Sequence, residues 1–164
     1  MRRVVVTGIG TINSTGHNVK DSFKAVVDGV CGIDTITLFD ASEFSVKIAG
    51  EVKDFDPTTV MDKKEVKKAD RFIQLGIKAA LEAMIDSGYV TQEDKKVDAS
   101  IADRFGMISG SGIGGLSTIE RNSIVCETKG SRKVSPFFIP SSLANMLSGF
   151  ISIEHNLRGP SLSH

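Results

Sequence analysis

Net charge is missing from this chain. Its 164 residues carry 20 lysines plus arginines and 20 aspartates plus glutamates, which cancel. A protein that holds nucleic acid by bulk electrostatics needs a basic excess, so that class is excluded. Any charge-driven partner has to be sought in local clusters. Cysteine is scarce too. Cys31 and Cys126 stand far apart, without a CxxC pair and without histidines at ligand spacing. That excludes a disulfide scaffold and a zinc site, and it fits a reducing cytoplasm. Met1-Arg2-Arg3 followed by valines is too short and too soon interrupted for a signal peptide. Residues 134–153 hold no charge over a length of about twenty residues, enough to cross a bilayer. Two prolines, five serines and an asparagine break that run, so it is expected to be an extended Pro-Phe-Phe segment and then a helix buried on most sides, not a membrane span.

What remains is an ordinary globular balance, 40% hydrophobic and 24% charged, in a length that suits one domain with a real core. Arg3 to Thr7 is β-branched and reads as a buried strand. Residues 18–30 place Val19, Phe23, Val26, Val27 and Val30 on one helical face, with Asn18 as N-cap. Residues 31–45 read as loop and 46–52 as a short alternating strand. Asp62 opens a charged helical turn. The stretch "RFIQLGIKAALEAMIDSG" follows, with a stripe of Phe72, Ile73, Ile77, Ala80, Leu81, Met84 and Ile85 that ends at Gly88. Residues 91–104 are a polar excursion. A short buried strand then runs into "GSGIGG", and residues 116–123 suit a helix. Residues 127–136 form a basic loop. Ser141 or Ser142 is the expected cap of a helix reaching about His155, and "LRGPSLSH" closes as a turn and a strand. Strands alternating with helices argue for a layered α/β domain.

The glycines invite a dinucleotide reading, and the spacing argues against it. That fingerprint needs strand, GxGxxG and helix in immediate succession. Gly8 and Gly10 are followed by Ile12-Asn13-Ser14, and the next helix starts only near Val19. Residues 110–115 match GxGxGG, with no Lys-Ser/Thr after them to make a P-loop. Close approach of backbones at strand ends is the better reading of both loops.

Several stretches in fixed order are more specific: "RRVVVTGIG", "FIQLGIKAALEAMIDSG", "GSGIGG", "RKVSPFFIP" and "LRGPSLS". Together they resemble the N-terminal part of the β-ketoacyl-acyl-carrier-protein synthase II family, the elongating condensing enzymes of bacterial fatty-acid synthesis. "GSGIGG" with "SPFF" is closer to type II than to type I. The resemblance covers essentially the whole chain. It implies a thiolase-like fold of two mixed five-stranded α/β halves, paired as a homodimer. Residues 1–164 are then an incomplete N-terminal half and a single domain. It implies a nucleophilic cysteine four residues beyond His164, with two catalytic histidines and a lysine further on. No catalytic residue is therefore expected within this chain, which should be inactive alone. The implied chemistry is acyl transfer to the cysteine, then decarboxylation of malonyl-carrier and attack of the enolate on the thioester. It needs no cofactor and no metal. His164 departs from the family's usual apolar residue.

The most distinctive local feature is "MDKKEVKKADR". On a helix, Lys63, Lys64, Lys67, Lys68 and Arg71 make one basic face, at a cost of a few tenths of a kcal/mol per like-charged pair. The resemblance assigns Lys64, Lys67 and Lys68 to docking an acidic acyl carrier protein. The plainer reading is a solvated helix start with Asp62 and Glu65 as local partners. The resemblance also assigns Ile113 and Phe138 to an acyl-chain tunnel near the dimer interface, against ordinary core packing. Both cysteines read as structural thiols. Two other readings stay open: a non-catalytic partner of the same fold, like the chain-length subunits of polyketide systems, and a nucleotide-binding α/β oxidoreductase.

Overall fold

The computed structural model describes residues 3–164. Met1 and Arg2, which open the first motif, lie outside the described residues. In chain order the elements are α1 (Val19–Val27), β1 (Asp34–Thr35), β2 (Ile48–Ala49), α2 (Lys63–Val66), α3 (Arg71–Asp86), β3 (Met107–Ser109), α4 (Leu116–Lys129), α5 (Phe138–Ser142), α6 (Met146–His155) and β4 (Ser161–Ser163).

The core is built on α3. Its i, i+4, i+8 row of Ile73, Ile77 and Leu81 is almost fully buried, against Val60, Met61, Val90, Val97 and Ile151. Gly76 lets α6 approach, because a Cβ there would stand 2.4 Å from Leu147 Cδ1. The helix ends where the pattern ends, and Gly88 takes φ +78°, the left-handed conformation that glycine adopts without steric cost. The strands form two pairs. β1 and β2 run antiparallel, with Asp34 opposite Ala49. β3 and β4 run parallel, with Ile108 opposite Leu162. The described residues thus hold both strand directions with helices between them. Neither pair extends to a five-stranded sheet among these residues.

Several expectations need correction. Arg3–Thr7 is not a buried strand: it pairs with nothing among the described residues, and Val4 is 96% exposed. β-branching favours extended backbone but supplies no partner, and a strand needs one. In α1, Asn18 caps as expected, accepting from the Asp21 amide at 2.8 Å. The buried side chains, however, are Ser22 and Ala25, while Phe23, Val26, Val27 and Val30 face outward. Periodicity reveals an apolar face without saying what covers it. The expected strand at 46–52 shrinks to Ile48–Ala49, and its partner β1 falls in the expected loop. β3 is not wholly buried, since Ile108 faces out. α4 runs on to Lys129, and Gly130 at φ +85° stops it.

The segment before α6 also differs. Phe138 opens a separate short helix, with Pro140 tolerated in its first turn. Ser141 and Ser142 lie inside that helix and cap nothing. Leu143 turns extended at ψ 133°, and α6 starts after Asn145. The Ser142 carbonyl is used instead to accept the Gly115 amide at 2.9 Å. α6 is buried on one face only, through Ser148, Ile151 and His155, with Ile153 exposed. Among the described residues no helix is long and apolar enough to cross a membrane.

Candidate functional site

Both glycine loops are backbone contacts. A Cβ on Gly8 would lie 2.2 Å from the Ala83 carbonyl oxygen, and one on Gly10 would lie 2.0 Å from that of Ala79. The 8–10 segment therefore lies directly on the α3 backbone. Two carboxylates one turn apart on α3 hold it there. Asp86 Oδ2 accepts the Ile9 amide at 2.9 Å. Glu82 accepts the Thr11 amide at 3.1 Å and, through its other oxygen, the Val19 amide at 2.8 Å. Gly114 and Gly115 serve the same purpose against α5, where Cβ atoms would meet the Ser142 and Ser141 carbonyls at 2.4 and 2.5 Å. Gly8, Gly10, Gly114 and Gly115 therefore serve close backbone packing, which is the reading preferred to nucleotide binding.

The lysine stretch is not one helix face. α2 is a single turn, Lys67 is its C-cap, and Asp70 starts α3. This break turns Arg71 inward. Its Nη2 donates to the Val52 carbonyl at 2.9 Å, Nη1 donates to that of Phe55 at 3.5 Å, and the guanidinium covers the Phe55 ring at 5.2 Å. Lys68 is half-buried, paired with Glu65 at 2.5 Å and poised 5.5 Å over the Phe137 ring. Lys63, Lys64 and Lys67 are exposed. The free basic surface is thus smaller than the sequence suggests, and Lys64 and Lys67 are its solvent-facing members among the three docking candidates.

Beside them runs a groove of about 610 Å³ between the α2–α3 corner and α4. Lys67, Arg121 and Lys133 line it, with Val66, Val125 and Phe137 as its apolar part. Its one acid, Asp70, accepts the Thr118 amide at 2.9 Å. Arg121 Nη2 donates to Thr118 Oγ1 at 3.3 Å. Buried Asn122 accepts the Ser135 amide at 3.0 Å and fixes the basic loop to α4. Sequence reasoning missed Arg121 and Asp70, because nothing in their local pattern marks a groove formed 48 residues apart. Lys133 sits in the loop whose basic character was legible.

Ile113 and Phe138 are not brought together in a cavity. Ile113 lies in the β3–α4 loop, 65% exposed, and Phe138 is the half-buried first residue of α5. Neither lines any of the four grooves described. Cys31 and Cys126 are both exposed. Cys31 shares a cleft of about 340 Å³ with His17. Its Sγ, however, hydrogen-bonds the Ile33 carbonyl at 3.8 Å, and the imidazole packs edge-on against Phe55. Across that cleft Glu51 accepts the amides of Thr37 and Leu38 and the Thr37 hydroxyl. These hydrogen bonds, Thr37's first, hold its carboxyl below the usual range. Among the described residues no cluster of acids, histidines and cysteines is arranged to hold a metal ion.

Comparison with known proteins agrees with this architecture. The chain is 48% identical over 162 residues to 3-oxoacyl-[acyl-carrier-protein] synthase 2 of Vibrio harveyi, and 44% identical to the protein of the same name from Coxiella burnetii. Each match covers 99% of this chain and 38% of the relative, so the chain spans well under half the length of these curated relatives. The ishigamide ketosynthase/chain length factor superposes with a TM-score of 0.78 at 29% identity, over 99% of this chain and 38% of that one. A type II polyketide ketosynthase, solved in complex with its acyl-carrier protein, gives 0.75 at 22% identity, over 100% and 41%, which bears on the fold alone. The fold is thiolase-like, as the resemblance implied. The sequence model of the β-ketoacyl synthase N-terminal domain matches residues 1–164 from end to end, and the chain belongs to the β-ketoacyl synthase family.

Proposed function

We propose that this chain is the N-terminal half-domain of a 3-oxoacyl-[acyl-carrier-protein] synthase II, supplying the carrier-docking corner and part of the acyl channel. The observation that carries the reading is the collinear match to synthases of that name over 99% of the chain. The whole protein then transfers an acyl group to a cysteine thiolate and releases the carrier thiol. Loss of carbon dioxide from malonyl-carrier gives an enolate that attacks the acyl thioester and expels the thiolate. Cytoplasmic location fits two exposed free thiols. Homodimer formation fits β4, which has β3 on one side and no second partner among the described residues.

Lys64 and Lys67 suit an acidic carrier because they are exposed and make no ion pair among the described residues. Lys68 has a second duty toward Glu65 and Phe137. Ile113 and Phe138 are assigned to the acyl channel, with Ile113 limiting its depth. In the full-length protein, reversing Lys64 and Lys67 should raise KM for carrier-bound substrates and flatten its salt dependence, with kcat retained. An unchanged KM removes the docking role. A second reading is a non-catalytic chain-length partner, since the matched structure's name covers both a ketosynthase and a chain length factor. The residue four positions after His164 separates the two, since the catalytic reading requires cysteine there.

A further inference from the structure

We infer that Asp70 is a positioning residue for the acyl channel: by capping α4 it fixes the loop that carries Ile113, and so helps to set how long an acyl chain the protein accepts. This rests on the assignment of Ile113 to the channel above. The loop is a strap between β3 and α4, tied at both ends. Before Ile113, the Ser111 amide donates to the His164 carbonyl, just past β4, at 3.1 Å, and Ser111 Oγ accepts the Gly114 amide at 3.0 Å. After it, the Gly115 amide donates to the Ser142 carbonyl at 2.9 Å. Between these ties Ile113 is exposed, and a Cβ on neighbouring Gly112 would meet nothing within 4 Å. The strap is therefore held by its ends and not by packing of its middle.

The far end depends on α4. Ile113 lies just before Gly115, the N-cap of that helix, which has no side chain with which to cap. Asp70 supplies the missing bond from the start of α3, at 2.9 Å to the Thr118 amide, and is itself buried. Its Oδ2 would also stand 3.0 Å from a Cβ on Gly115. The carboxylate thus sits against the last residue of the strap as well as on the first turn of the helix. Helix α3 carries the core row Ile73, Ile77 and Leu81, so Asp70 ties the strap to the most rigid part of the domain. A helix that loses its cap frays in its first turn, and here that turn is the strap's anchor.

The test is the chain-length profile of the full-length protein. It compares kcat/KM for a long-chain and a medium-chain saturated acyl group, both presented on an acidic acyl carrier protein. With the cap gone the strap yields to a longer chain, so Asp70→Ala should raise the long-to-medium ratio about threefold. Asp70→Asn, whose amide oxygen can accept the same N–H, should restore the wild-type ratio. Ile77→Val loosens the core without touching the strap and should leave the ratio unchanged. Should Asp70→Ala not fold, Asp70→Glu, which pushes the carboxylate past the Thr118 amide, takes its place with the same rise expected. If Ile113→Phe lowers the ratio while loss of the Asp70 cap leaves it unchanged, the inference fails and the channel reading survives. If loss of the cap raises KM equally for both chains, or Ile77→Val moves the ratio as much, Asp70 acts on docking or stability alone and the inference also fails. If Ile113→Phe itself leaves the ratio unchanged, the channel reading falls and the inference with it.

Discussion

The carboxylate of Asp70 accepts the backbone amide of Thr118 at 2.9 Å, across 48 residues of chain. Asp70 stands at the N-cap position of its own helix α3 but makes no side-chain cap bond there. It caps α4, whose own N-cap residue, Gly115, has no side chain to offer. That glycine cannot be exchanged for a conventional cap, because a Cβ would stand 2.5 Å from the Ser141 carbonyl and 3.0 Å from Asp70 Oδ2. The close approach of α4 to α5 therefore removes a local cap, and a distant carboxylate replaces it. Asp70→Ala should cost about 1–2 kcal/mol by leaving a buried N–H without a partner. Asp70→Asn should recover most of that through its amide oxygen. Urea unfolding of the three proteins measures it.

The N-terminal glycines make a second test with an internal control. Gly10→Ala drives a methyl into the Ala79 carbonyl, so the 8–11 segment must lift from α3 and loosen its bonds to Glu82 and Asp86. The expected loss is about 3 kcal/mol. Gly112 belongs to a similar-looking loop, yet a Cβ there meets nothing within 4 Å and its φ is not positive. Gly112→Ala should shift stability by less than about 0.5 kcal/mol. Equal losses for the two would show that loop flexibility matters rather than close approach.

How legible these features were follows from their range. Helix α3 was readable to within a residue or two, because sixteen residues repeat one stripe and Gly88 stops them. The close-approach role of the glycines followed from their failure to match a phosphate loop. Tertiary features left no such trace. The split between α5 and α6 follows from where the Ser142 carbonyl is needed, by Gly115 on another element. The lysine stretch has helical spacing throughout, but Asp70 starts a new helix and turns Arg71 inward. Ile113 and Phe138 came from resemblance alone, and local pattern could not distinguish a channel lining from ordinary packing.

Ser109 gives a prediction in the stabilising direction. It ends β3 at 7% exposure, and its hydroxyl has no hydrogen-bond partner among the described residues. A buried hydroxyl that loses its water without a replacement costs free energy. Ser109→Ala should be neutral or stabilising by up to about 1 kcal/mol, measured as a rise in thermal midpoint. A clear loss of stability would mean that the hydroxyl has a partner.

Glu51 sets a pH dependence. Its carboxylate accepts from Thr37 twice over and from Leu38, and these bonds lower its folded-state pKa below the ordinary value of 4.5. A carboxylate with a lowered folded value contributes stability that is complete above the unfolded pKa and is lost as pH falls through the folded one. Thr37 and Leu38 should therefore loosen below about pH 4.5. In Glu51→Gln the acidic part of the stability profile should be flatter. Thermal melts from pH 6 to pH 3 compare the two proteins, and parallel profiles would remove Glu51 as a source of the dependence.

His155 clamps the polar excursion at Lys95 to Val97. It ends α6, is fully buried, and places Nδ1 2.7 Å from the Lys95 carbonyl. A carbonyl can only accept, so Nδ1 carries a proton, while Nε2 has no hydrogen-bond partner among the described residues. The Val97 amide donates to the His155 carbonyl at 3.0 Å, and Asn156 Nδ2 donates to the Val97 carbonyl at 3.0 Å. Asn156 reaches it by taking φ +57°, a conformation asparagine adopts more readily than most residues. Together these bonds hold Val97 in the core. His155→Ala combines a cavity with a lost hydrogen bond and should cost about 3 kcal/mol. His155→Phe refills the volume without the donor, and should cost about half as much. Hydrogen exchange at the Val97 amide adds a local readout. If His155 is the clamp, that amide should lose protection in both variants by more than amides in the middle of α3. Uniform loss across the core would reduce its role to filling space.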